Sequence, residues 1–166
     1  MDITLIIAGG ILLGCVIGLS WFAGSDAPYV PTKMDKIREV LKLAGVKKGK
    51  KFYELGSGDG RVVYEAAGLG ADSIGIEQSL IRVLYSRYGG RNLKKVKFLH
   101  GNIFAKKYTD ADVIYTYLLP KGVKRLEEKL KKELKKNSVV ITQTYHFPKW
   151  KPFKKLDNFW LYRSPG

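Results

Sequence analysis

The sequence predicts an α/β fold in which helices cover a mostly parallel β-sheet that ends in an antiparallel hairpin, with one transmembrane helix in front. Two observations lead to this prediction. After Asp26, segments with strand-like and helix-like hydrophobic patterns alternate between short turns, which is typical of parallel sheets covered by helices. Before that point, no charged side chain occurs in residues 3–25. The chain is therefore predicted to consist of an apolar segment, 1–26, and one α/β domain, 27–166.

Length and composition exclude several other classes of protein. The chain has 166 residues, of which 45% are hydrophobic and 12% aromatic, so it is a folded protein of one ordinary domain and not a disordered basic tail. Its single cysteine excludes an intramolecular disulfide, and with only two histidines the sequence predicts no metal site. The net charge is +15, which indicates an anionic partner such as lipid headgroups or a nucleic acid, or else a solvated surface without a specific partner.

The apolar segment is predicted to be a membrane anchor. Residues 3–25 are 23 uncharged residues. As a helix with a rise of about 1.5 Å per residue, they are longer than the roughly 30 Å thickness of a bilayer core. Trp21 lies where an interfacial aromatic side chain is expected, and the basic residues begin at Lys33. The positive-inside rule then predicts a single-pass membrane protein whose folded domain faces the cytoplasm.

Two features of this segment leave alternatives open. A cleaved signal peptide is the main rival of the anchor, but the positive charge expected at its start is missing after Met1. Gly10, Gly14 and Gly18 have the small-xxx-small spacing that lets two membrane helices approach closely, which predicts a dimer. The other interpretation is that glycine is simply frequent in membrane helices.

The elements of the domain follow from hydrophobic periodicity and from turn residues. Thr32 and Asp35 have the spacing of a capping box, and the helix after them stops at Gly45. Strands are predicted at residues 51–55, 73–77, 96–100, 113–118 and 138–145. Helices are predicted at residues 61–67, 79–88 and 121–136, and a closing hairpin at 150–156 and 159–163.

The most specific motif is Glu-Leu-Gly-Ser-Gly-Asp-Gly-Arg at residues 54–61, between a predicted strand and a predicted helix. Its glycines allow positive φ and let backbone N–H groups approach a ligand. A dinucleotide fingerprint requires a glycine where this chain has Arg61, and a phosphate-binding loop requires a Gly-Lys-Ser/Thr ending that is absent. The spacing is therefore Gly-x-Gly-x-Gly, with Glu54 two residues before the first glycine.

This motif resembles the first motif of class I S-adenosylmethionine-dependent methyltransferases, and the resemblance implies their Rossmann-like sheet. It also implies that Glu54 and the turn residues Gly56, Ser57 and Gly58 hold the methionine part of S-adenosylmethionine. Glu77 ends the second predicted strand, where the family has an acid for the ribose hydroxyls, and a carboxylate suits that task because both hydroxyls donate to it. Taken singly, each residue has the simpler interpretation of a turn, a helix cap or a surface charge.

The resemblance extends to the end of the third predicted strand. Asn102 and Ile103 lie where the family often has an aspartate that faces the adenine amino group. An amide can accept a hydrogen bond from that amino group and donate one to the neighbouring ring nitrogen. Asn102 and Ile103 are therefore predicted to contact the adenine part of the cofactor.

Motifs outside the cofactor site narrow the resemblance further. The elements Pro-Tyr-Val-Pro-Thr at 28–32, Tyr-Leu-Leu-Pro at 117–120 and Phe-Pro-Lys-Trp at 147–150 are similar to the small protein-lysine methyltransferases. That group comprises the mitochondrial enzymes for the c-ring protein of ATP synthase and the adenine nucleotide translocase, with archaeal and bacterial relatives. The first element implies a strap near the cofactor, with Tyr29 and Thr32 as contacts, or it is only a rigid entry to a capped helix.

Tyr115 and Tyr117 are the candidate catalytic residues. The fourth strand lacks the Asn/Asp-Pro-Pro-Tyr/Phe run of many adenine and glutamine N-methyltransferases, and it offers these tyrosines instead. Aromatic faces suit a cationic amine and a sulfonium, and alternation along a strand puts both rings on one face. Packing in the core is the other interpretation for both side chains.

The sequence thus predicts an S-adenosylmethionine-dependent protein-lysine N-methyltransferase that acts on a membrane-associated or nearby protein. The basic clusters at 47–51, 94–97, 129–136 and 149–155 are predicted to face anionic lipids. Two alternatives stay open. One is a methyltransferase for RNA or another nucleic acid, which the positive charge would steer. The other is a non-catalytic membrane adaptor that binds S-adenosylmethionine.

Overall fold

A computed structural model describes residues 2–22, 32 and 34–166 of the chain, and a seven-stranded sheet organises the domain. The strands are β1 Lys51–Leu55, β2 Asp72–Glu77, β3 Val96–His100, β4 Val113–Thr116, β5 Val139–Gln143, β6 Lys154–Leu156 and β7 Phe159–Arg163. The helices are α1 Ile3–Phe22, α2 Ile37–Leu43, α3 Arg61–Gly68, α4 Leu80–Gly89 and α5 Pro120–Glu133, and a short 3-10 turn, Met34–Lys36, precedes α2.

The strand order is β3-β2-β1-β4-β5-β7-β6. The first five strands in this order are parallel, and β7 pairs antiparallel with both β5 and β6. This arrangement confirms the predicted α/β sheet with its C-terminal antiparallel hairpin. The order reverses between β1 and β4, and ligands of open α/β sheets bind at the carboxyl ends of the strands at such a switch point.

Several boundaries differ from the predicted ones for identifiable reasons. β4 ends at Thr116, before Pro120 begins α5, so Tyr117 lies in the connection and not in the strand. α5 ends at Glu133 because Leu134 has an extended conformation, with φ −75° and ψ 136°. β5 ends at Gln143 because Thr144 has a φ of 65°, which no strand residue adopts.

The sheet has a core on each face, and β1 contributes to both. Phe52 packs in the cluster that α2 and α3 cover, whereas Tyr53 and Leu55 pack in the cluster that α5 covers. All four residues from Phe52 to Leu55 are buried, as expected of a strand that is covered on both faces. The glycine turn that follows therefore starts from a firmly packed strand of the sheet.

α1 differs from the other helices in its surroundings. Its side chains from residue 3 to 19 are exposed, including Ile3, Leu12 and Leu19 at 67–73%. Over the residues that it describes, the structure contains no helix that is long and apolar enough to cross a membrane. The predicted transmembrane helix is thus not found among the described residues. The predicted dimer contact has open space at each of its glycines and stays a prediction.

Candidate functional site

The glycine turn connects β1 to α3 at the switch point of the sheet. Gly56, Gly58 and Gly60 have φ values of 81°, 53° and 83°, the left-handed region in which residues with a Cβ are strained. The N–H groups of Gly56 and Ser57 donate to the carbonyl of Ile76 at 2.9 and 3.0 Å, which fixes the turn to β2. The turn thus has a backbone that favours glycine and is held to β2 by two hydrogen bonds.

Glu77, the predicted ribose ligand, lies buried beneath this turn at the end of β2. Its Oε2 accepts a hydrogen bond from the Gly58 N–H at 2.9 Å, and its Oε1 accepts one from the Ser79 N–H at 2.8 Å. The guanidinium of Arg82 lies 3.6 Å from the same Oε1. Glu77 therefore joins the glycine turn to the start of α4. A carboxylate offers about four acceptor positions, so capacity for a ligand hydroxyl remains.

Glu54 lies in β1, two residues before the first glycine of the turn, and is only 5% exposed. Burial raises the pKa of its carboxyl well above the usual value, and the negative charge of Asp59 raises it further, whereas the Val63 N–H lowers it. Its Oε2 has no hydrogen-bond partner among the described residues, and neither has the buried hydroxyl of Ser57. Unpartnered buried acceptors are rare in folded proteins. These two atoms fit a ligand that brings donors or a positive charge to the turn.

The loop after β3 offers a ligand fewer hydrogen-bonding atoms than the sequence predicts. Asn102 is exposed, and its Oδ1 accepts a hydrogen bond from the Phe104 N–H at 2.8 Å. The carbonyl of Ile103 accepts a hydrogen bond from the Tyr108 hydroxyl at 2.6 Å. In this structure the amide oxygen of Asn102 shapes its own loop, so the predicted contact with adenine rests on its amide nitrogen and on the half-buried Ile103.

Tyr115 is part of a buried hydrogen-bond network next to the site. Its hydroxyl and the Thr32 hydroxyl both donate to Oε1 of Gln143, the latter at 3.2 Å, and the two hydroxyl oxygens lie 3.3 Å apart. Burial raises the pKa of the Tyr115 hydroxyl, which is 1% exposed. This surrounding favours the core interpretation of Tyr115 over the catalytic one. It also joins Thr32, which precedes the 3-10 turn and α2, to the ends of β4 and β5.

The network corrects one prediction and adds one residue. The expected cap of α2 by Thr32 is wrong: the cap position is Lys36, without a side-chain hydrogen bond, and the Thr32 hydroxyl binds Gln143 instead. Thr32 is only 7% exposed, and burying a hydroxyl without a hydrogen-bond partner is costly, so its hydroxyl binds the buried acceptor. Sequence reasoning missed Gln143, whose only signal was a polar side chain near the end of a predicted strand.

Tyr117 lies just beyond β4, in the connection to α5. Its half-buried ring packs against the same core cluster as Tyr115, so the two rings share a side of the sheet as predicted. A Cβ at Gly56 would lie 3.6 Å from the side chain of Leu118, so this connection closes over the turn. Tyr29, the other predicted strap contact, lies outside the described residues.

Gln143→Leu is expected to lower the free energy of unfolding by about 1–3 kcal/mol, because two buried hydroxyls lose their shared acceptor. Urea denaturation measures the effect. The same substitution at the exposed Gln78 is the control and should stay within about 0.5 kcal/mol. Adding Tyr115→Phe should restore part of the loss, since removing both polar partners costs less than removing one. An equal loss in the double variant would contradict the network.

Known proteins similar to this chain share both the fold and the motif region. The model of the ANTKMT methyltransferase domain family matches residues 54–154. The lysine N-methyltransferase of Homo sapiens that is named for the ATP synthase c-subunit is 30% identical over 142 residues, which is 81% of this chain and 60% of that protein. The chain thus spans about six tenths of that relative and 57% of its mouse counterpart. A protein-lysine N-methyltransferase of Saccharolobus islandicus is 30% identical over 134 residues, with 75% and 81% coverage.

Solved methyltransferase structures are also similar to this chain. An RNA methyltransferase from Salinibacter ruber, crystallised with S-adenosyl-L-homocysteine, superposes with a TM-score of 0.76 at 31% identity. The superposition covers 81% of this chain and 92% of that one. A methyltransferase from Thiobacillus denitrificans, also bound to S-adenosyl-L-homocysteine, has a TM-score of 0.59 at 20% identity over 84% and 57% of the two chains. That second likeness concerns the fold alone.

Proposed function

The chain belongs to the ANTKMT methyltransferase domain family, and we propose that it transfers a methyl group from S-adenosylmethionine to a lysine side chain of a protein. The observation that carries the cofactor assignment is the buried carboxylate of Glu54, which has an unpartnered oxygen beside the Gly-x-Gly-x-Gly turn. The names of the curated relatives support lysine as the acceptor.

Different residues of the site bind different parts of the cofactor. Glu54 offers a carboxylate oxygen to the ammonium of the methionine part, and Ser57 adds a free hydroxyl. Glu77 keeps the turn in place and has acceptor capacity left for a ribose hydroxyl. When bound, S-adenosylmethionine supplies a methyl group that its sulfonium has already activated. The protein therefore contributes mainly orientation and exclusion of water.

The acceptor lysine must lose its proton before it can attack a methyl group. Its reference pKa is near 10.4, and an apolar surrounding lowers that value by disfavouring the ammonium form. Tyr117 and Leu118 follow β4 next to the glycine turn and provide such a surrounding. We propose that Tyr117 presents its ring to the incoming amine, while Tyr115 supports the position of β4 from the core.

The affinity for S-adenosylhomocysteine is expected to rise with pH, because binding of its ammonium requires an ionised Glu54 carboxylate. Since burial raises the pKa of Glu54, the affinity should increase by at most about tenfold per pH unit between pH 4.5 and this raised pKa. Calorimetric titrations across this range measure it. Glu54→Gln should bind weakly and without that slope.

The same ionisation affects stability without ligand. A raised pKa means that the folded state holds a proton that the unfolded state releases above pH 4.5, so the free energy of unfolding falls as pH rises through this window. The Glu54→Gln variant should lack the fall. A wild-type protein whose stability stays flat there would contradict a protonated Glu54 in the free protein.

The proposed reaction is tested with the full chain, cofactor labelled in its methyl group, membrane protein extract and total RNA. Label should appear in protein, and mass spectrometry should locate it on a lysine. Omitting protein extract while keeping RNA is the control for the rival substrate. Label found only in RNA would overturn the lysine assignment, and absence of label with intact cofactor binding would favour a non-catalytic adaptor.

A nucleic acid is the second candidate substrate, because two observations favour it. The similar structure from Salinibacter ruber is named an RNA methyltransferase, and outside residues 1–26 the chain carries 30 basic but only 13 acidic side chains. Positive charge of this size attracts RNA. It equally attracts anionic lipids, so charge alone does not separate the two substrates.

We also propose that residues 1–26 attach the domain to a membrane as a single span, with the domain on the cytoplasmic side. The exposed apolar side chains of α1 support this, as does the uncharged sequence that continues to Ser25. Extraction of membranes with alkaline carbonate should leave the full chain in the pellet. Replacement of Leu12 and Val16 by lysine should release it, whereas a wild-type protein in the supernatant would contradict the anchor.

A further inference from the structure

The outer face of α4 is apolar and open to solvent. Leu80, Leu84 and Tyr88 follow each other at intervals of four residues and are 52%, 54% and 70% exposed, with Tyr85 beside them at 57%. The opposite face of α4 packs normally, since Val83 is fully buried in the cluster with Phe98. Large apolar side chains grouped on one exposed helix face mark an interaction surface rather than scattered exposure. We name these four residues the α4 face.

Positive charges border the α4 face. The guanidinium of Arg91 lies 4.3 Å from the centroid of the Tyr88 ring, and Lys94 is exposed in the turn that follows. Leucines flanked by tyrosine, arginine and lysine are the composition of surfaces that lie in the headgroup region of a bilayer. Anionic headgroups would pair with the cations while the leucines enter the acyl boundary.

α4 also adjoins the helix proposed to enter the membrane. Cα atoms of α1 and α4 approach within 8 Å, yet the four side chains of the α4 face keep most of their exposure. α1 and α4 therefore lie next to each other, and each of them exposes apolar side chains. A bilayer is the partner that would cover both at once.

We propose that the α4 face is a second membrane contact, which docks the domain on an anionic bilayer next to its anchor. This inference rests on the proposed membrane attachment and deepens it. A nucleic acid would gain little from Leu80 and Leu84, which offer nothing to phosphates. A second copy related by a twofold axis would bring the cations that border the face, such as Arg91, toward one another.

Docking in this way has a consequence for the active site. A cleft of about 450 Å³ is lined by Tyr85 and Tyr88 of the α4 face and also by Asp59 and Arg61 of the glycine turn. The α4 face therefore borders the glycine turn. A domain held on this face works close to the headgroups, where the lysines of membrane proteins near the bilayer surface would reach it.

The test reconstitutes the full chain, with Cys15→Ser, in vesicles of phosphatidylcholine with or without phosphatidylglycerol. A polarity-sensitive fluorophore is attached to a single cysteine introduced at Tyr88, at Leu12 of α1, or at the exposed Lys124 of α5 as a matched control. Lipids with a quencher in the acyl chain report contact. Circular dichroism checks that each labelled protein is folded.

In anionic vesicles, lipid quenching should be several-fold stronger for the Tyr88 label than for the Lys124 label. Arg91→Glu with Lys94→Glu should reduce it toward the control, while the Leu12 label stays quenched. Quenching at Leu12 with none at Tyr88 would overturn the docking surface and leave the anchor standing. Quenching at neither position would overturn the anchor itself. Shielding of Tyr88 that grows with protein concentration in lipid-free detergent would assign the face to a second copy.

Discussion

Glu77→Ala is expected to abolish cofactor binding and to destabilise the domain by several kcal/mol. The substitution removes the acceptor of two buried N–H groups, those of Gly58 and Ser79, at about 1–3 kcal/mol each. It also removes the carboxylate that faces the guanidinium of Arg82, which is 3% exposed. Such losses approach the whole stability of an ordinary domain. Urea denaturation and calorimetric titration with S-adenosylhomocysteine measure the two effects separately.

Two variants make the Glu77 prediction specific. Glu77→Gln keeps the size and one acceptor oxygen, so it should fold more stably than the alanine variant while it still binds the cofactor weakly. Asp72→Ala removes an exposed carboxylate from the start of the same strand and should change stability by less than about 1 kcal/mol. A folded Glu77→Ala protein that binds cofactor like wild type would show that the carboxylate holds neither the turn nor the ligand.

The Glu77 variant also separates an enzyme from an adaptor. If the chain transfers methyl groups, turnover must disappear together with cofactor binding in Glu77→Ala. A membrane adaptor would show no turnover in the wild type either, although it would still bind S-adenosylhomocysteine. The comparison therefore needs both measurements on both proteins.

The sequence predicts the order and type of the domain's elements well, because those depend on local patterns. The run from Phe52 to Leu55 indicates a strand without knowledge of its neighbours, and the glycines after it fix the turn. The mostly parallel, Rossmann-like sheet is then implied by the resemblance carried by that turn. Boundaries fail where a backbone conformation decides them, as at Thr144, whose positive φ has no local signature in a threonine.

Side-chain roles that depend on distant partners escape such reasoning. Thr32 lies 83 residues from Tyr115 and 111 residues from Gln143, so nothing in its local sequence distinguishes a helix cap from a buried network. Glu77 was predicted as a ligand residue, and its hydrogen bond to Gly58 depends on how the turn folds back over β2. The sequence thus indicates which residues surround the site, and the fold decides what each of them holds.

Gly60→Ala is expected to cost about 3 kcal/mol or more, whereas Gly49→Ala should cost only about 1–2 kcal/mol. The two glycines have nearly the same φ, 83° and 84°, so both substitutions carry the same left-handed strain. They differ in space: a Cβ at Gly60 would lie 2.5 Å from Cζ of Phe98, and nothing lies within 4 Å at Gly49. Urea denaturation of both variants isolates the steric part, and equal losses would show that strain alone matters.

Phe98 decides whether the clash at Gly60 can be relieved. Its ring packs edge-on against Tyr64 at 5.5 Å and is buried with Val63 and Val83, so it has no room to move away. Phe98→Leu should itself destabilise the domain, but it should make Gly60→Ala less destabilising by about 1 kcal/mol or more in a double-mutant cycle. Because the clash pushes on the glycine turn, the same cycle measured by cofactor affinity should show coupling of the same sign. Additive effects in both measurements would mean that the clash at Gly60 is relieved by a movement of another residue of the turn.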